Sequence, residues 1–248
     1  MFVALHLFNT SIVPLATRSV PASENYLLLT RQIYQAPGFE HAILTIPILA
    51  HIASGIALRN IRASRRARLY GAEPNHQNVL LKFWHGTNLQ VRLGYSLVPL
   101  LGTHALVNRI VPLIVDGGSS SVGLGYVAYS FARSPTFWYL YYLVFVTVAV
   151  WHFVGGGAAW LGWGVNTSLW EWGNRDSLMG YLGSSNFVQH LKRQRKIWWV
   201  VNGIAAVVAS IWLTGALGII ARGGEGSGWE AKRWNDIYNQ VPLIGEWL

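Results

Sequence analysis

Apolar residues along this chain fall in long unbroken runs, not at the short periods of a soluble domain. The longest, Phe137–Trp163, passes 27 residues without a charge, enough for a helix to cross roughly 30 Å of hydrocarbon. Aromatic rings crowd both ends: Phe137, Trp138, Tyr139, Tyr141 and Tyr142 at one, Trp160 and Trp163 at the other. Amphipathic rings favour the two membrane interfaces, so the run reads as a complete span with its belts. Three more runs accompany it: His41–Arg59, interrupted by Pro47, then Leu89–Val111, closed by Pro112, and Ile197–Ala221. The pattern predicts an all-α, polytopic membrane fold, with a four-helix transmembrane bundle over residues 41–221 and short interfacial helices around it.

The flanks are too short or too polar to span. Residues 1–40 begin apolar but are broken by Pro14, and predict an N-terminal amphipathic, interfacial segment. Within it, Ser23 followed by Glu24, Tyr26, Leu27, Leu29 and Ile33 predicts a surface helix ending near Pro37-Gly38. Residues 222–248 predict an interfacial tail, flexible through GGEGSG and then helical and rich in aromatics. A short amphipathic piece is expected within 70–88, and a polar, Trp-bearing loop after Trp163. No repeat of fixed period is evident, only a looser echo: each of the first three spans carries a histidine with glycines nearby.

Composition agrees with the hydropathy. Of 248 residues, 52% are hydrophobic and 12% charged, half the charged share of a soluble domain. Absence of cysteine excludes disulfides and zinc–thiolate sites. The net charge of +9 reflects topology and anionic lipid headgroups in a membrane protein, not nucleic acid. Four spans place the 59–92 and 164–196 loops on one face, with twelve Lys and Arg against three Asp and Glu, so the whole excess lies there.

Candidate chemistry lies inside the spans. His51, His104 and His152 are ionisable groups at membrane depth, where such groups are costly and usually functional. Measured by helical rise from Arg92 and from Trp163, His104 and His152 lie at nearly the same depth, roughly 18 Å in; His51 lies roughly 12 Å from Arg59. Matched depth on different helices suits two axial ligands of one haem b iron, so His104 and His152 are the candidate metal ligands and His51 a pocket residue or the alternative ligand. Gly94, Gly102, Gly155 and Gly156 would let a porphyrin approach, and Arg59, Arg62 and Arg92 would meet its propionates. The competing reading is structural, since an intramembrane histidine also hydrogen-bonds across helix pairs and glycines serve close helix contacts. No carboxylate lies inside a span. That removes a carboxylate proton relay, disfavours a non-haem metal, and reads as non-enzymatic.

Two resemblances attach to these stretches. His51-Ile-Ala-Ser-Gly55 is similar to the His-Arg-x-Ser-Gly stretch of the cytochrome b membrane anchor of succinate dehydrogenase, and Trp151-His152-Phe153 resembles that anchor's haem-ligand helix. This implies a haem scaffold, and as one function a b-type cytochrome passing electrons between haem and quinone. The quinone-site arginine and serine are replaced by Ile52 and Ile48. A wider resemblance covers about residues 26–220. LLLTRQIYQ, PILAHIASGIALRNIRASRRARLYG, LGYSLVPLLGTHALVNRIVP and WHFVGGGAAWLGW together resemble the fungal Mcp family of mitochondrial membrane proteins. That resemblance implies an outer-membrane adaptor in lipid homeostasis. Such an adaptor recruits a bridge-like lipid-transfer protein of the Vps-thirteen type through a Pro-x-Pro peptide in its N-terminal region. Here that region has Pro14, Pro21 and Pro37 but no Pro-x-Pro.

Overall fold

The computed structural model describes residues 2–36, 38–70, 88–118, 121–163 and 185–242, with residue 245. The pieces expected within 70–88 and over 164–184 lie outside, apart from their described ends. The described chain is helical: α1 (Phe2–Thr17), α2 (Val20–Tyr34), α3 (His41–Thr45 continuing as Ile46–Tyr70), α4 (Leu89–Asp116), α5 (Leu124–Arg133), α6 (Pro135–Trp160), α7 (Ser185–Gly218) and α8 (Gly228–Asn239). Four helices are long and apolar enough to cross a membrane: His41–Leu69, Leu89–Asp116, Pro135–Trp160 and Lys192–Arg222.

Helix α6 forms the middle of the bundle, packed between α4 and α7. Val146 and Val150 meet Ala205 and Ala209, and Trp151 Nε1 donates to Asn202 Oδ1 at 3.0 Å. Tyr141 ties α6 to α4 by donating to the Leu100 carbonyl at 2.6 Å. Span α3 differs: no residue of its most apolar stretch is buried. It meets the bundle through Glu40 and Arg109 at one end, His51 and His152 midway, and Arg59 and Tyr95 beyond.

Prolines shape three helices in one way. A π turn precedes each of Val13-Pro14, Ile46-Pro47 and Val111-Pro112. In α4, Val111 N–H reaches back to the Leu106 carbonyl. Proline has no N–H to give, so the next carbonyl, Val107, is left over. The Tyr126 hydroxyl donates to it at 3.0 Å. The helix therefore runs through Pro112, where the sequence pattern ended it, to Asp116 and the left-handed Gly117 (φ 70°).

The flanking segments are docked. Helix α1, expected at the interface, lies along α7: Ser11 donates to the Ile211 carbonyl at 2.6 Å, and Trp212 Nε1 donates to Thr10 at 3.1 Å. Helices α2, α5 and α8 cap the bundle end opposite Arg92. There Tyr126 stacks on Tyr238 with ring centroids 4.6 Å apart, and Trp234 Nε1 donates to the Ser121 carbonyl at 2.8 Å. Half-buried Glu24 accepts from the Leu124 and Gly125 N–H groups at 2.7 and 3.3 Å, joining α2 to α5.

Candidate functional site

His152 sits on the inner face of α6, over a gap in α4. A Cβ on Gly94 would lie 2.9 Å from His152 Cε1, so only glycine leaves the imidazole its place. Gln90, one turn earlier, fixes the ring: its Nε2 donates to the His152 carbonyl at 2.6 Å and lies 3.2 Å from Nδ1, and its own carbonyl is 3.3 Å from Nδ1. In the tautomer with its proton on Nδ1, that nitrogen has the Gln90 carbonyl to donate to, and Nε2 is then a bare lone pair. A hydrogen bond of this kind is what orients metal-binding imidazoles.

His51 faces His152 across the α3 seam, ring centroids 6.1 Å apart and planes at 77°. His104 meets a different partner, His6 of α1, at 6.0 Å and also at 77°. The structure thus brings His51 and His152 together and does not bring His104 to His152. The cause is helix register. His152 is level with Gln90–Gly94, close to Arg92, whereas His104 lies ten residues beyond Gly94, roughly 15 Å further along α4. Trp163 is therefore not at the level of Arg92, as the depth estimate assumed. Arg59 is likewise not the end of its span: α3 continues to Tyr70, and the guanidinium donates to the Tyr95 hydroxyl at 3.0 Å, three residues past Arg92.

The remaining candidates divide. Gly156 lies against the same group: a Cβ there would be 3.2 Å from Gln90 Nε2. Gly155 is its half-buried neighbour on α6. Gly102 is exposed, with nothing within 4 Å of a Cβ position, and touches neither histidine pair. Arg92 is half-buried on the first turn of α4. His6 carried no signal as a lone histidine in a short segment; its position against His104 is what makes it a site residue.

Two imidazoles bound at about 2 Å to opposite sides of one metal have ring centroids about 6 Å apart. Both pairs have that separation, which edge-to-face ring contact shares. Among the described residues no group of three or more His, Asp or Glu could hold an ion. Two imidazoles with no carboxylate suit haem better than a bare ion, because the porphyrin supplies four nitrogens and cancels the charge of ferrous iron. The His51–His152 pair fits that group. Its α3 side is not filled by neighbours, with His51 exposed and nothing within 4 Å of a Cβ on Gly55.

Seen in the fold, the loose echo among the histidine stretches resolves into two corresponding pairs, at slightly different intervals. His6 is followed six residues on by Ile12-Val13-Pro14-Leu15, and His104 six residues on by Ile110-Val111-Pro112-Leu113. His51 with Gly55 and Ala57 corresponds to His152 with Gly156 and Ala158. Each histidine faces its own counterpart.

The family model described as MDM10-complementing protein 1, transmembrane domain, matches residues 1–91 and 99–225. Neither a curated protein nor a solved structure matches the chain.

Proposed function

The chain belongs to the family of the MDM10-complementing protein 1 transmembrane domain, a family of mitochondrial membrane proteins, and from that we propose a non-enzymatic adaptor of the mitochondrial outer membrane. It acts in lipid homeostasis, and its core holds haem b between His51 and His152. The observation that carries the haem reading is the His51–His152 pair, 6.1 Å apart, with Gln90 occupying His152 Nδ1 and Gly94 clearing its ring. Bound there, haem would supply a one-electron redox centre. The protein's part is to present two imidazoles, to orient the His152 ring through Gln90, and to offer Arg59 beside Tyr95 as a cation for the propionates. Arg62, three residues on, lies on the same helix. Membrane lipids are its surroundings, and the partner we propose is a bridge-like lipid-transfer protein of the Vps-thirteen type. Pro14 is buried in α1, so that residue is not part of an exposed docking peptide.

The haem reading is tested on the purified chain and its His51→Ala and His152→Ala variants. Each substitution is expected to abolish the low-spin haem signal of this site, since one imidazole leaves iron five-coordinate. Retention of that signal in both variants would refute the assignment. The adaptor reading is tested by separating outer from inner mitochondrial membranes. Recovery with outer-membrane markers is expected, and recovery only with the inner membrane would refute it.

A further inference from the structure

We infer that the chain holds a second haem, between His6 and His104, in addition to the one proposed at His51 and His152. The inference rests on the haem reading of the first pair and extends it to a histidine in a helix too short to span.

Three observations converge. The first is the repeat: His6 and His104 precede the same Ile-Val-Pro-Leu tetrapeptide at the same distance. Each sits two residues before a π turn, Phe8–Ile12 or Leu106–Ile110. His51 and His152 are likewise counterparts. Each pair thus joins a residue of one stretch to its own counterpart in the other, the same relation that the proposed first site has. The matched family segments begin at residues 1 and 99, the same interval as from His6 to His104.

The second is geometry. The His6–His104 rings have centroids 6.0 Å apart and planes at 77°, against 6.1 Å and 77° for the first pair. The third is an orphaned atom. His6 Nδ1 is buried without a hydrogen-bond partner among the described residues, and leaving such an atom unmet is costly. On the His104 side, Asn108 donates to the His104 carbonyl at 2.9 Å and lies 3.4 Å from its Nδ1. Phe2 stacks on His6 and Phe145 lies tilted against His104, with Trp212 and Tyr142 edge-to-face beside them. A wall of that kind suits a flat apolar macrocycle and excludes a hydrated ion. Along α4, His104 is roughly 15 Å from Gly94, so the two sites are stacked along the membrane normal.

The test is haem stoichiometry of the full chain, purified in mild detergent after expression with ample haem. Wild type is expected to carry two haems per chain and to titrate in two one-electron waves. His6→Ala and His104→Ala should each leave one, with the His51–His152 spectrum retained. His51→Ala should also leave one, that of the other pair. One haem in wild type, kept by His6→Ala and His104→Ala and lost by His51→Ala, would overturn the second site and leave the first standing. One haem lost by His6→Ala and His104→Ala but kept by His51→Ala would support this site and overturn the first. No haem in any form would overturn both. If the His6 and His104 variants do not fold, the wild-type titration decides: a single wave contradicts the second site.

Discussion

Arg109 and Glu40 form a forked ion pair across 69 residues of sequence, Nε to Oε1 at 2.7 Å and Nη2 to Oε2 at 2.5 Å. The pair pins the start of α3 to α4, on a span whose most apolar stretch buries nothing. With both side chains three-quarters buried, its loss is expected to cost about 1.5–3 kcal/mol. Arg109→Gln should therefore loosen α3 and reduce haem at His51–His152. It should leave the His6–His104 signal in place. Separate redox titration of the two signals checks this; equal loss of both would contradict it.

Gly94 provides a sharper test of the first site. A side chain there would meet His152 Cε1 at 2.9 Å, and the imidazole cannot recede without leaving the Gln90 carbonyl. Gly94→Val should remove low-spin haem at that site while lowering thermal stability by about 1–3 kcal/mol, the usual cost of overpacking. Absorption spectra and melting curves of the same preparation separate the two effects.

Gly215 has the corresponding role for α1. A Cβ there would run into the backbone of Ser11, whose hydroxyl donates to the Ile211 carbonyl at 2.6 Å. Gly215→Val should displace α1 from α7 and move His6 away from His104. Loss of the second haem with retention of the first is the expected result, read from haem content per chain.

Glu24 makes the cap sensitive to pH. Burial raises its carboxyl above the usual carboxylate range; the Leu124 and Gly125 N–H groups and Arg31 oppose this, and Glu230 adds to it. The folded state thus holds this proton more tightly than the unfolded chain. Stability from this group is largest below the ordinary carboxylate value and falls as pH rises through the raised one. Glu24→Gln should flatten that fall. Unfolding midpoints in detergent across mildly acidic to neutral pH check it.

The four spans were legible because a predominantly apolar run of about 20 residues matches the thickness of a bilayer and exceeds what a buried core helix needs. The histidine pairing was not. Depth counted from Arg59, Arg92 and Trp163 assumed that each marks the same plane, whereas α3 continues beyond Arg59 and α6 sits with His152 level with Gln90. Register between helices is set by contacts such as Gly94 under His152, which no single-span pattern records. His6 was invisible for another reason: α1 has too few residues to span, so its hydropathy suggests a surface segment. Buried Asn9 and Ser11 were the available hint, being small polar residues suited to a helix seam. The repeat was hidden because it survives in so few positions, the two histidine–glycine stretches and one tetrapeptide.

The most direct measurement is the reduced-minus-oxidised absorption spectrum of the purified wild-type protein. A sharp α band of six-coordinate, low-spin ferrous haem b is expected, lost when His51 and His104 are both replaced by alanine. A folded, homogeneous preparation made with ample haem that shows no Soret absorbance would contradict it.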